Sequence, residues 1–337
     1  MRTFRFFPVL LLGLGLVGAP GAGAATPVNI RAAFVVPVAN IGSILFAKKG
    51  VAKYLGKTYT LDMIHFRGTT TQINALATGN LDLGLLGFTS LPLAIENAHL
   101  TDLRVIIDEL EDGEPGYATD GYFVRNGSGI KTVADLKGKV LATNAYGSAV
   151  DLAMRVELMK HHVNPKTDVN IVEAAFPTMT AMLLGGKADL VPDVLPFSVS
   201  PKLLAKAHSL FTQRDGMGGP SDLAIWVART GFIAAHRAAV IDFLSDYLRA
   251  LHFYLNPKNH AEAVKIASNY SKLPPKVFQG WLFTHKDYYR PPNGVPSAKV
   301  LQANVDTLYK YGFLKTKIDM AKYVDPGLIE AAAKRLK

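Results

Sequence analysis

The sequence contains no cysteine. Structural disulfides, thiol nucleophiles, thiolate metal sites and a lipid-bearing N-terminal cysteine are all excluded by that absence. Catalytic signatures are missing as well: no H-E-x-x-H zinc helix, no G-x-S-x-G elbow and no Walker-type phosphate loop occurs. Beyond residue 24, no stretch is long and apolar enough to cross a bilayer. Acidic residues are outnumbered, with 37 Lys and Arg against 27 Asp and Glu and a net charge of +10. The basic side chains are scattered rather than clustered. That argues against nucleic acid and for a field that favours anionic solutes.

What is present begins with a leader. Arg2 and Arg5 precede an apolar stretch over 8–17, and Ala22-Gly23-Ala24 has the small residues of an export cleavage site. The G-x-G-x-x-G match at Gly13, Gly15 and Gly18 lies inside this leader, so it is no dinucleotide loop. Cleavage after Ala24 leaves residues 25–337, expected in the periplasm without stable membrane insertion. That length, 49% hydrophobic overall, suits two domains.

Strands then alternate with helices. A strand over 28–36 breaks at Pro37, and a helix from Ser43 would bury Ile44, Leu45, Ala47, Val51 and Leu55. A strand over 59–66 ends at Arg67-Gly68, and Thr69-Thr70-Thr71 cap a helix that Gly79 stops. A buried strand over 81–86 leads through Gly87-Phe88-Thr89-Ser90 into another helix. The alternation predicts a parallel, doubly wound α/β sheet. The pattern recurs at 169–190, where Gly185-Gly186-Lys187-Ala188-Asp189-Leu190 repeats Gly79-Asn80-Leu81-Asp82-Leu83. Two lobes of one architecture would produce such a repeat. Strands at 121–125 and 224–228 read as crossovers, which gives lobe I as 25–122 and 227–337 and lobe II as 123–226. From Phe232 onward the pattern is helical, with segments at 234–255, 260–269, 276–284 and 300–311.

The segment 128–148 is the most informative. A short helix capped by Thr132 turns at Lys137-Gly138 into a strand over 140–143. Asn144-Ala145-Tyr146-Gly147 then open into a helix at Ser148, and Ser148 with Asp151 fits a capping box. Strand, small-residue loop and helix start together present free backbone N–H groups and the positive end of a helix dipole. Such a loop receives an anion.

Four segments carry a family resemblance: Ala47-Lys48-Lys49-Gly50; Asn74-Ala75-Leu76-Ala77-Thr78-Gly79-Asn80-Leu81-Asp82-Leu83-Gly84; Ser128-Gly129-Ile130 through Asp135-Leu136-Lys137-Gly138-Lys139-Val140; and Gly185 to Leu190. In this order and spacing, over about residues 27–230, the chain resembles periplasmic substrate-binding proteins of ABC importers of the nitrate/sulfonate/taurine type. The resemblance implies a type II periplasmic-binding-protein fold: two α/β lobes joined by two crossover strands, with a helical C-terminal tail. It also implies a cleft that closes around one small solute, and delivery to a permease with a cytoplasmic ATPase. No cofactor or metal is expected, and the protein is expected to be a monomer.

Ligands of open α/β sheets bind beyond the carboxyl ends of strands. The expected site therefore comprises Pro37, Asn40, Phe66, Arg67, Thr69, Thr70, Phe88, Thr89, Ser90, Tyr122, Asn144, Tyr146, Ser148, Phe176, Asp193 and Phe197. Hydroxyls and backbone N–H groups hold a carboxylate or sulfonate without a cation, although the same residues serve as helix caps. Arg67 at a strand end can grip an anionic head bidentately. The aromatic residues point to an organic and even aromatic body rather than bare nitrate. Asp193 and Asp222 either orient loops or take the ammonium of a taurine-like zwitterion. His161-His162 sits at a helix end and is not read as a metal site. The alternatives are an enzyme on the same fold, of chorismate-dehydrating or pyrimidine-forming type, and a sensor that docks to a receptor. Binding rather than catalysis is expected.

Overall fold

The computed structural model describes residues 26–336, and the leader with its cleavage site lies outside the described residues. Ten strands form: β1 Val28–Phe34, β2 Tyr59–His65, β3 Leu83–Leu86, β4 Leu103–Asp112, β5 Gly121–Arg125, β6 Val140–Thr143, β7 Asn170–Glu173, β8 Leu190–Asp193, β9 Ala207–Thr212 and β10 Ser221–Arg229. They make two five-stranded sheets, ordered β2-β1-β3-β10-β4 and β7-β6-β8-β5-β9. β2, β1 and β3 in one sheet, and β7, β6 and β8 in the other, pair in parallel; β10 or β5 runs against them, and the outer strand, β4 or β9, is antiparallel to that one and so runs with the first three. The wholly parallel sheet expected from the alternation is thus corrected to a mixed one. The reversed strand next to the parallel set, β10 or β5, is the one that arrives from the other sheet, so its direction is set by the crossing.

The chain passes between the sheets twice, along 113–120 and 213–220. The boundaries expected at 122/123 and 226/227 fall inside β5 and β10, each of which pairs within a single sheet. We place the lobe boundaries in the two connecting segments.

The internal repeat has a physical role. Asp82 Oδ2 accepts the N–H of Arg31 at 2.9 Å while its own N–H donates to the Arg31 carbonyl. Asp189 does the same to Val140, with Oδ2 accepting at 3.0 Å. Asp82 therefore locks β3 onto β1, and Asp189 locks β8 onto β6. Arg31 adds an ion pair to Asp82 at 2.7 Å, which raises the Arg31 pKa.

The helices are α1 Ile73–Ala77, α2 Ser90–Asn97, α3 Ala149–Lys160, α4 Phe176–Leu184, α5 Pro201–Leu204, α6 Gln213–Met217, α7 Thr230–Leu255, α8 His260–Ser271, α9 Ala298–Lys310 and α10 Gly327–Ala333. The helix expected from Ser43 does not form. A short 3-10 turn over Ile41–Ile44 gives way to irregular chain with positive φ at Gly50 and Gly56. Its backbone is satisfied from outside: the Asp246 carboxylate on α7 accepts from the N–H groups of Lys53, Tyr54 and Leu55 and from the Tyr59 hydroxyl. The segment 276–284 is likewise irregular, with a 3-10 turn at Pro275–Val277 and positive φ at Phe283. Buried Tyr59, Trp226, Phe243 and Tyr247 pack α7 onto the first sheet, Tyr59 and Phe243 edge to face at 5.7 Å. Among the described residues, no helix is long and apolar enough to cross a membrane.

Candidate functional site

The first wall of the site is the loop that leaves β1. Pro37 ends the strand, and Asn40 then folds its side chain back. Its Oδ1 accepts from Val35 N–H at 3.0 Å and Val36 N–H at 2.7 Å. Its Nδ2 donates to Glu109 Oε1 at 3.2 Å, which also accepts from Ile41 N–H at 3.0 Å. The other Glu109 oxygen accepts from Trp226 Nε1 at 2.5 Å. Burial raises the Glu109 pKa, while Trp226, Arg290 and Asn40 oppose that shift. Arg290 is itself buried and donates to the Ala39 carbonyl at 2.6 Å. Val38, buried within this clamp, has a φ of 71°, a conformation β-branched residues avoid. The loop is therefore held in a strained shape by its surroundings.

The opposite wall is the start of α3. Ser148 is its N-cap: Oγ accepts from Asp151 N–H at 3.4 Å and donates to Asn144 Oδ1 at 2.7 Å. Gly147 takes a φ of 76°, and its N–H donates to Asp151 Oδ2 at 2.8 Å. Arg155 pairs with Asp151, which offsets that carboxylate near the helix start. The first N–H groups of a helix have no intrahelical acceptor, and Ala149 and Val150 provide them here.

The two walls meet. Thr70 Oγ1 donates to the Tyr146 carbonyl at 3.1 Å, and Asn144 Nδ2 reaches the Arg67 carbonyl at 3.4 Å. Tyr288, from the connector after α8, accepts from Leu195 N–H at 3.0 Å and donates to Asp120.

Between the walls lies an inner chamber of about 60 Å³. Aliphatic side chains line most of it, joined by Asn40, Thr69, Asn144, Ser148, Phe176 and Tyr288. Thr69 Oγ1 is buried there without any hydrogen-bond partner. A second chamber of about 240 Å³ shares Val35, Val36 and Phe176 with the first. It adds Pro37, His65, Arg67, Ala175, Pro177 and Phe197. The Thr69 hydroxyl and the N–H groups at the α3 start thus line one chamber with donors that make no bond within the protein or the helix.

A family model described as the NMT1-like family matches residues 23–268. The chain belongs to the NMT1-like family. No curated protein matches it in sequence. Among solved structures it is similar to the alkanesulfonate-binding protein SsuA from Xanthomonas axonopodis pv. citri bound to MOPS, at 23% identity and a TM-score of 0.70, covering 90% of this chain and 99% of that one. The periplasmic nitrate-binding protein NrtA from Synechocystis PCC 6803 follows at 14% identity and a TM-score of 0.71, with 94% and 90% covered. The desulfurization enzyme DSZB shares 13% identity at a TM-score of 0.62, with 92% and 100% covered. At these identities the likeness establishes the fold, the two-lobe α/β fold of periplasmic binding proteins.

In this NMT1-like protein the expected site residues divide in two. Asn40, Thr69, Asn144, Ser148 and Phe176 line the inner chamber, and Pro37, Arg67, Phe176 and Phe197 the outer one. The rest line neither chamber. Phe66 packs against the core. Thr70 is taken up by the interlobe bond. Phe88, Thr89 and Ser90 are buried at the start of α2, where Ser90 Oγ accepts from Gly87 N–H. Tyr122 stacks on Phe211 at 4.4 Å and donates to the Val150 carbonyl. Tyr146 is 50% exposed and donates to the Ile171 carbonyl. Asp193 is buried against Thr180, and burial pushes its carboxyl up to about 7. These placements share a cause: being near a strand end does not say which way a side chain points. Sequence reading named no part of the lining from Leu223 and Ala224, nor Tyr288. The only signal for Tyr288 was an aromatic pair, Tyr288-Tyr289, in an irregular connector.

Proposed function

We propose that the protein is the solute-binding component of an ABC importer, exported to the periplasm, that captures a small organic anion between its lobes. The observation that carries this reading is the convergence of the Thr69 hydroxyl and the α3 start on one mostly apolar chamber lined from both lobes. A carboxylate or sulfonate there receives hydrogen bonds from Thr69 and from the Ala149 and Val150 N–H groups, and the helix dipole favours its charge. Phe176, Pro177 and Phe197 offer the body of the solute an apolar bed. Because the walls come from both lobes, a bound anion stabilises the closed form by touching each, and closure presents the loaded protein to a permease and its ATPase.

Binding is favoured over catalysis by the lining itself. Ser148 Oγ spends its proton on Asn144, and the lining histidine, His65, faces the Val35 carbonyl at 2.9 Å. The lining hydroxyl that does face a carboxylate, Tyr288 to Asp120, also accepts from Leu195 N–H, which fits a structural tie between segments. A thermal-shift screen against alkanesulfonates, aromatic carboxylates, nitrate, taurine and pyrimidines tests the reading. A solute at 100 times its Kd adds about 2.7 kcal/mol, several degrees in Tm. A folded protein that no anion stabilises would sink it.

A further inference from the structure

We infer that the solute carries two acceptor groups at opposite ends of a ring-sized apolar body, and no ammonium. The inference rests on the anion-binding reading of the cleft and adds the chemical class.

Chamber size sets the first constraint. The inner chamber, at about 60 Å³, holds a head group. A planar ring needs more, since a cavity that takes up benzene measures about 150 Å³. The outer chamber, at about 240 Å³, meets that requirement. Flat groups wall it: Pro37, Phe176, Pro177 and Phe197. The head therefore fits inside and the ring outside.

Charge sets the second. Of the residues lining either chamber, Arg67 alone is a Lys, Arg, Asp or Glu. Arg67 lines the outer chamber and not the inner one, and it forms no ion pair among the described residues. A second acceptor at the far end of the ring meets it there, and a guanidinium takes a carboxylate bidentately.

The carboxylates that might have received an ammonium are elsewhere. Asp193 faces Thr180. Asp222 is buried with Asp108 and Glu111 in a cluster outside both chambers. Glu109 is occupied by Asn40, Ile41 and Trp226. An ammonium entering either chamber loses hydration without an ionic partner and meets Arg67 as a like charge.

Calorimetric titration of the leaderless protein with benzoate, benzene-1,4-dicarboxylate and 4-(aminomethyl)benzoate tests this. The dicarboxylate should bind about tenfold or more tighter than benzoate, the range of one charge-assisted hydrogen bond. The aminomethyl compound should bind weakest of the three. Arg67→Ala should cost the dicarboxylate about tenfold more than it costs benzoate, so that the variant binds the two acids alike. Equal affinity for benzoate and dicarboxylate overturns the inference, as does an aminomethyl compound that binds as tightly as benzoate. So does an Arg67→Ala variant that weakens both acids alike. Tight binding of short alkanesulfonates with none of the benzoates defeats this inference alone. Silence from every anion defeats the binding reading with it.

Discussion

At the scale of single residues, Thr69 separates binding from stability. Its buried hydroxyl has no partner within the protein, so the fold gains nothing from it, while an anion beside the α3 start would. Thr69→Val keeps the shape and deletes the donor. Anion binding should weaken by about 1.5–3 kcal/mol with Tm unchanged or slightly raised, which titration and a melt of the same sample would show. Glu109 should behave in the opposite way. It holds Asn40, Ile41 and Trp226 together, and Glu109→Ala leaves those donors buried and unmatched. A loss of about 3 kcal/mol or more in chemical denaturation is expected. A variant that melts like the parent would show that the Asn40 loop holds its strained form without the clamp.

At the scale of elements, the two G-x-x-D turns make a matched pair of unequal strength. Asp82 receives Arg31 through backbone N–H and guanidinium and is 9% exposed; Asp189 receives the Val140 N–H, with Arg125 3.9 Å away. Asp82→Ala should therefore cost about 2–3 kcal/mol and Asp189→Ala about 1 kcal/mol in urea unfolding. The reverse order would mean that the ion pair, not the strand lock, has been misjudged. This turn was legible in the sequence because it rests on a local spacing repeated twice. So were the strands, whose apolar runs are bounded by Gly and Pro, and the α3 start, whose Ser148 and Asp151 lie three residues apart. The helix expected at Ser43 was not legible. Its apolar spacing suited a helix, yet Asp246, far along the chain, captures that backbone in an irregular form. Half the site escaped for a related reason. Phe88, Tyr122 and Asp193 stand near strand ends, but their orientation is fixed by packing partners such as Phe211 and Thr180.

At the scale of the whole molecule, charge is stored neutral inside. Burial pushes Asp112 and Asp193 up to about 7 each, against an ordinary aspartate near 4. Asp108 and Asp222, close together and buried, are raised further, by burial first and then by neighbouring carboxylates. Each binds a proton in the folded state that the unfolded chain has already released. For Asp112 and Asp193 that contribution is complete below about pH 4 and disappears as pH rises through their folded values near 7. Exposed Asp135 and Asp168, lowered by hydrogen bonds from backbone N–H groups, act in the opposite sense and lose their contribution under stronger acid. Tm should accordingly fall between about pH 4 and pH 7, and Asp193→Asn should flatten that slope. A Tm that climbs across this range would contradict the buried neutral state. One further consequence concerns light. The chain has two tryptophans, and the Trp226 indole donates to the same carboxylate that holds Asn40 at the chamber wall. Any solute that shifts Asn40 changes the field on that indole, so the emission of Trp226 is a built-in optical gauge of cleft occupancy, read without a dye.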